Sequence, residues 1–374
     1  MPSGRLLVKG LLGGVVLLTL AFWNLKFWLP LPEGVPRPRQ PQAGLTVLIW
    51  HWPFGRPANL SGDVCATLYG VEGCLLTTNR SLLRQADVVV FHHRELQSGQ
   101  ARLPLGERPP HQPWLWITLE SPSHTYGLAR LGGIFNWVMT YRRDSDVFMP
   151  YGELVPRASP APTLPPKDGL VSWVVSNYHA GQRRAAVYAE LAKHVPVALF
   201  GRANGRPLCP ACLVSTTGRY RFYLAFENSQ HHDYITEKLW RNALLAGAVP
   251  VVLGPPRATY EAFLPPDAFI HVDDFGSVRE LARFLSGMNA SCYQLFFRWR
   301  ERLAVRLHAD WRERFCTICS RYPHLPRGRV YRDLEAWFRG GDGPQGEGPG
   351  GGTASSYLLL ILEPVKPGIN PARL

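Results

Sequence analysis

Tyr220-Arg-Phe-Tyr-Leu-Ala-Phe-Glu-Asn-Ser-Gln-His-His-Asp-Tyr-Ile-Thr-Glu-Lys-Leu-Trp240 carries three structural signals in one stretch. Phe222 to Phe226 is a continuous apolar run, as expected of a strand covered on both faces. A polar loop follows Glu227-Asn228, and a helix is expected to open near Thr236 and run to Leu245. Strand, loop and helix in that order are one half of a βαβ unit. Lys238 in the first turn of that helix opposes the dipole, which favours an anion there. A phosphate paired with both Lys238 and the helix N-terminus would resolve the conflict, and a solvated Glu237-Lys238 pair is the plain alternative. Glu237 could accept from sugar hydroxyls, and Tyr223 or Tyr234 could supply a flat contact.

The same alternation surrounds this stretch. Strands are expected at Leu170–Ser176, Val195–Phe200 and Val249–Leu253, with a helix around Arg183–His194. A helical region from Val278 to Phe338 would close this second half. Upstream, Leu45–Trp50, Ala86–Phe91 and Trp114–Leu119 read as buried parallel strands of a first half. The Pro-rich run 156–167 is the best linker between the two. The pattern predicts an α/β chain of two doubly wound domains, 45–155 and 168–339, facing across a cleft. Residues 340–374 are Gly-rich and expected to be a disordered tail.

Composition bounds the partners. Lys and Arg number 41 against 28 Asp and Glu in 374 residues, a net charge of +13, which favours anionic ligands. The arginines are scattered and no helix-turn-helix, zinc-finger or RNP signature occurs, so nucleic acid is not expected. Residues 1–5 and 6–29 read as a basic cytosolic tail and a signal-anchor helix, because positive charge precedes the apolar run and no small-x-small cleavage site ends it. Residues 30–44 form a Pro-rich stem, and the body is expected to be lumenal. Sequons at Asn59, Asn79 and Asn289 agree with that compartment. An oxidising compartment favours local disulfides Cys65–Cys74, Cys209–Cys212 and Cys316–Cys319, leaving Cys292 single. Zinc held by the two C-x-x-C pairs is the alternative.

Ligands of open α/β sheets bind outside the carboxyl ends of the strands. Glu120 follows Trp114–Leu119 at such an end. It is a candidate general base, partly desolvated by neighbouring tryptophans and so raised in pKa; a solvated loop residue is the plain alternative. Asp144-Ser-Asp146 matches the short D-x-D pattern of metal-dependent transferases, but Arg142 and Arg143 beside it could simply pair with the two aspartates. The adjacent pairs His92-His93 and His231-His232 lack metal-ligand spacing.

Phe226-Glu-Asn-Ser229, Asp233-Tyr-Ile-Thr-Glu-Lys238 and Ala246-Gly-Ala-Val-Pro-Val-Val-Leu-Gly254 together resemble the donor-site signature of the α1,3-fucosyltransferases. The resemblance continues through Trp50-His-Trp-Pro-Phe54, His92-His-Arg-Glu95, Glu120-Ser-Pro122, Pro150-Tyr-Gly152 and Trp173-Val-Val-Ser-Asn177, and covers about residues 45–339. Within the family the leukocyte type, which makes sialyl Lewis x, is most similar. The resemblance implies a GT-B fold, a Golgi type II membrane enzyme, and transfer of L-fucose from GDP-β-L-fucose with inversion and no essential metal. It implies Glu120 as base and Ser176, Asn177, Arg184, Tyr223, Asn228, Tyr234, Glu237 and Lys238 as donor contacts. Tyr151 and Arg94 would meet the acceptor, and Arg56, in a variable family position, is a further acceptor candidate. Arg94 stands where members with α1,4 activity carry Trp, which implies type 2 lactosamine glycans, sialylated in the leukocyte type. Two rivals are a metal-dependent GT-A enzyme using Asp144 and Asp146, and a catalytically silent lectin or scaffold of the same fold.

Overall fold

The computed structural model describes residues 44–340. The expected cytosolic tail, anchor, stem and C-terminal tail lie outside the described residues, apart from the junction residues Gly44 and Gly340.

Six strands form the first sheet: β1 (Leu45–Ile49), β2 (Cys74–Thr77), β3 (Val88–His92), β4 (Trp114–Ile117), β5 (Trp137–Thr140) and β6 (Val147–Phe148), in the order β2-β1-β3-β4-β5-β6. Every pairing is parallel. All residues of β3, β4 and β5 are buried, which is why they read as unbroken apolar runs. Strand β7 (Gly152–Pro156) follows, then a second sheet of β8 (Gly169–Val174), β9 (Val197–Phe200), β10 (Tyr220–Phe226), β11 (Val249–Leu253) and β12 (Ile270–His271). Its order is β12-β11-β10-β8-β9, again all parallel. Each sheet therefore reverses its winding once, between β1 and β3 in the first and between β8 and β10 in the second. Such switch points open a crevice at the carboxyl ends of the strands.

Three expectations about the C-terminal segment are corrected. The stretch 278–338 is not all helical: β13 (Leu303–Leu307) pairs antiparallel with β7, Gly152 opposite Leu307. A Cβ at Gly152 would fall 2.8 Å from Cγ of Trp240, so only glycine lets β7 lie against that indole. The last helices, Trp311–Arg321 and Leu334–Arg339, do not pack on the second sheet. Phe315, Ile318 and Leu325 join the core on one face of the first sheet with Val47, Leu115 and Met139; Leu334 and Phe338 join the other with Trp114 and Trp116. The third correction concerns the cysteines. Cys65 is bridged to Cys316 and Cys74 to Cys319, with Cα–Cα distances of 5.4 and 5.8 Å. Cys316 and Cys319 stand three apart on one helix, so both face the same neighbour instead of each other. The Cys209–Cys212 bridge forms as expected, and Cys292 is unpaired.

Candidate active site

The switch point of the second sheet assembles most of the expected donor residues. Strand β8 leads into Val175-Ser176-Asn177, and β10 beside it ends at Phe226 before Glu227-Asn228. Gly201, after β9, has φ 110° and sits so close to the Val175 backbone that a Cβ would meet its carbonyl oxygen at 2.0 Å. That contact shapes the loop carrying Ser176. Arg184 opens the helix Arg183–Leu191 and is buried. Its guanidinium donates to the Asn177 carbonyl and, at 2.8 Å, to Gln182 Oε1. Burial lowers the Arg184 pKa, while the charges of Glu227 and Glu237 act in the opposite sense.

Lys238 is held by carboxylates. Its Nζ lies 3.0 Å from Glu227 Oε2, 2.8 Å from Thr236 Oγ1 and 3.4 Å from Glu237 Oε1. Burial disfavours the ammonium, but Glu227 and Glu237 outweigh it and raise the Lys238 pKa. Burial pushes the Glu227 carboxyl up against the pull of Lys238. For Glu237 burial acts upward too, yet Lys238 and Arg241 hold it below the usual range. The dipole conflict anticipated for Lys238 is thus answered inside the protein. The α-helix there is only Glu237–Leu239, continued by a π-helical stretch Trp240–Leu245, and Thr236 caps it while its own N–H donates to Glu227 at 2.8 Å. The helix N-terminus is thus closed by Thr236 and Glu227, and Arg184 and Lys238 are the cationic side chains at this switch point.

Tyr223, expected to touch the donor, is fully buried. Its hydroxyl accepts from Asn242 Nδ2 at 3.1 Å and burial pushes its pKa up to about 12. An apolar ring in mid-strand is claimed by the core, so Tyr223 supports the site from beneath. Tyr234 packs edge-on to Tyr141 at 4.9 Å. Its pKa is raised first by burial and then by Tyr151 and the carboxylates of Glu227, Glu120 and Glu237, which converge on it from both halves.

Glu120 stands beyond the carboxyl end of β4, on the first half. Its side chain is exposed, contrary to the expected shielding by tryptophans; Trp114 and Trp116 are wholly inside the core. The residue before it is fixed instead: Tyr151 donates its hydroxyl to the Leu119 carbonyl at 2.6 Å. Ser121 and Ser229 hydroxyls meet at 2.7 Å, as do Ser123 Oγ and His231 Nε2, joining the Glu120 loop to the donor loop. On the far side, Arg94 lies 4.9 Å over the exposed ring of Phe54, and Arg56 is exposed nearby in sequence. Glu95, buried and 2.5 Å from His92 Nδ1, accepts from the Phe54 N–H at 2.9 Å.

The D-x-D aspartates do not open onto a common cavity. Asp144 accepts from Arg142, and Asp146 accepts from Val138 N–H, Arg329 and the Tyr331 hydroxyl. Arg143 pairs with neither. Three residues that sequence reasoning did not assign to the site, Glu227, Thr236 and Ser121, hold the assigned ones in place. The signal available for Glu227 was a carboxylate directly after a buried strand, one residue before Asn228.

Comparison with known proteins places the chain in a family. The family description "Fucosyltransferase, N-terminal" matches residues 42–152, and "Glycosyltransferase family 10 (fucosyltransferase) C-term" matches residues 164–337. The human alpha-(1,3)-fucosyltransferase 7 is 62% identical over 339 residues, covering 90% of this chain and 98% of its own. The human alpha-(1,3)-fucosyltransferase 4 is 43% identical over 86% of this chain and 68% of its own. A crystal structure of an alpha1,3-fucosyltransferase with GDP-fucose superposes with a TM-score of 0.51 at 16% identity, covering 81% of this chain and 96% of that one, and shares the fold. The chain belongs to glycosyltransferase family 10, the fucosyltransferases.

Proposed function

We propose that this enzyme transfers L-fucose from GDP-β-L-fucose, with inversion, to O3 of N-acetylglucosamine in type 2 lactosamine glycans, preferring α2,3-sialylated acceptors and so making sialyl Lewis x. The observation that carries the proposal is the placement of two cations, the buried Arg184 and the half-buried Lys238, at the switch point of one sheet, with the Glu120 carboxylate at a strand end of the other. Arg184 and Lys238 receive the diphosphate, Ser176, Asn177, Asn228 and Glu237 hold the rest of the donor, and Tyr234, buried as Tyr223 is, supports them from within. Glu120 takes the proton from the acceptor hydroxyl as that oxygen attacks the anomeric carbon from the face opposite GDP. Charge building on the leaving diphosphate is met by cations already oriented, an electrostatic stabilisation that needs no metal ion. Tyr151, Arg94 and Arg56 line the acceptor side. Asp144 and Asp146 act structurally.

An N-terminal anchor at residues 6–29 would fix the enzyme to the Golgi membrane as a single-pass type II protein with the two α/β domains lumenal. The exposed Asn59, Asn79 and Asn289 would then carry N-glycans. The test is to incubate the protein with GDP-fucose and matched sialylated and neutral lactosamines, with and without excess EDTA. The expected result is an α1,3-fucosylated product, most from the sialylated glycan and undiminished by EDTA. Equal use of both glycans would remove the sialyl preference alone. Loss of turnover restored by Mn²⁺ would overturn the metal-free mechanism.

A further inference from the structure

Asp233 is one of only two non-glycine residues among the described ones with positive φ, at 57°. Asp adopts such a backbone more readily than most residues with a side chain, and here its carboxylate is also held from outside its own loop. Its carboxylate is fully enclosed. It accepts from the Arg143 backbone N–H at 2.9 Å, from Arg143 Nε at 3.1 Å and from Arg143 Nη2 at 3.0 Å, and His232 Nε2 lies 3.3 Å away. Arg143 also lies 5.1 Å over the ring of Phe263. This arginine follows β5 of the first sheet, whereas Asp233 belongs to the loop after β10 of the second. Arg143 is free for the role because the neighbouring aspartates are taken by Arg142, Arg329 and Tyr331.

The position of Asp233 gives the pair its consequence. It directly precedes Tyr234 and leads into Thr236, Glu237 and Lys238. A change of its φ would redirect the chain that carries these side chains. We infer that Arg143 is a positioning residue for the donor: by clamping Asp233 in its left-handed conformation from the other half of the molecule, it orders the donor loop before GDP-fucose arrives. Ordering done in advance is not charged against binding, so affinity should depend on a residue that touches no part of the donor.

The inference rests on the donor site proposed above, and GDP is the probe that separates the two. Wild-type protein, Arg143→Gln and Arg143→Lys would be titrated with GDP by calorimetry, with KM for GDP-fucose, kcat and thermal melting measured alongside. Arg143→Gln should weaken GDP binding and raise KM by roughly tenfold, the usual size of such coupling. At saturating donor its kcat should stay within about twofold of wild type, since the lost term is one of binding. Arg143→Lys keeps the charge without the two-pronged geometry and should recover part of the loss. If Arg143→Gln does not fold, Arg143→Lys alone should still bind GDP several-fold more weakly than wild type, by the same coupling. Unchanged GDP affinity in the folded variants, with only the melting temperature lowered, would overturn the inference by reducing the pair to a structural one. Absence of GDP binding by the wild type would instead overturn the donor site itself.

Discussion

The two faces of the cleft are built differently. On the donor side, Lys238, Glu227, Glu237 and Thr236 satisfy one another within 3.4 Å, with Glu227 and Thr236 buried and Lys238 and Glu237 half-buried. On the acceptor side, Glu120 is exposed, and among the described residues only its backbone is bonded, to Thr118 Oγ1 at 3.3 Å. The contrast fits the roles proposed for the two sides. A diphosphate needs fixed cations in a medium of low dielectric, which must exist before it binds. A base must reach an incoming hydroxyl and give up its proton afterwards, so it gains from solvent contact until the acceptor closes over it.

The largest effect should come from breaking the acceptor side alone. Glu120→Gln keeps the shape and cannot take a proton, so kcat should fall by about 10²–10⁴-fold. The acidic limb of the pH–rate profile should vanish with it. Retention of more than about a tenth of wild-type turnover would assign the base elsewhere.

Next in size is the covalent tie on the first half. Cys65–Cys316 and Cys74–Cys319 span 251 and 245 residues of chain and lie side by side. Either one closes nearly the same long loop, so replacing both pairs by alanine should cost roughly 5 kcal/mol in a denaturant titration, while replacing one should cost much less. Equal, additive losses would show that the bridges act separately. The donor side has no such tie and relies on charge. There Glu227→Ala would leave the half-buried Lys238 with Glu237 as its one remaining carboxylate partner and should destabilise by about 2–3 kcal/mol, read from the same titration. A neutral outcome would mean that the donor cluster is not preorganised.

The smallest effect concerns acid. His93 is buried, its Nδ1 accepting from Trp116 Nε1 at 3.0 Å and its Nε2 lying 3.0 Å from the Tyr126 carbonyl. That arrangement needs the neutral ring, and burial holds the His93 pKa down to about 4. Between about 6.5 and 4 the unfolded chain binds the extra proton, so stability should fall as pH drops through that window, by on the order of 2 kcal/mol. His93→Gln should flatten that part of the stability–pH curve, and an unchanged slope would place the acid sensitivity elsewhere.

Much of this was legible in the sequence, for physical reasons. Parallel strands covered on both faces must be apolar throughout, so β3, β4, β10 and β11 could be read directly. Glu120, Glu237 and Lys238 were singled out by the family resemblance, since a charged residue at a strand or helix end reads as readily as a solvated one. Contacts between distant segments left no local trace. Nothing near Cys316 says that its helix returns to the first sheet, and its C-x-x-C spacing points to a local bridge. Burial of Tyr223 was hidden because an aromatic in a strand can face either the core or a ligand. The Arg143–Asp233 pair spans 90 residues, and adjacent aspartates offered Arg143 nearer partners on paper.

The donor cluster as diphosphate site is tested most directly by calorimetric titration of GDP into wild type, Lys238→Ala and Glu120→Gln. Loss of one charge-assisted phosphate contact should weaken GDP binding to Lys238→Ala by roughly tenfold or more, while Glu120→Gln binds GDP as wild type does. Equal affinity of Lys238→Ala and wild type would contradict the account, since a lysine that contributes nothing to GDP binding cannot be the cation that receives the diphosphate.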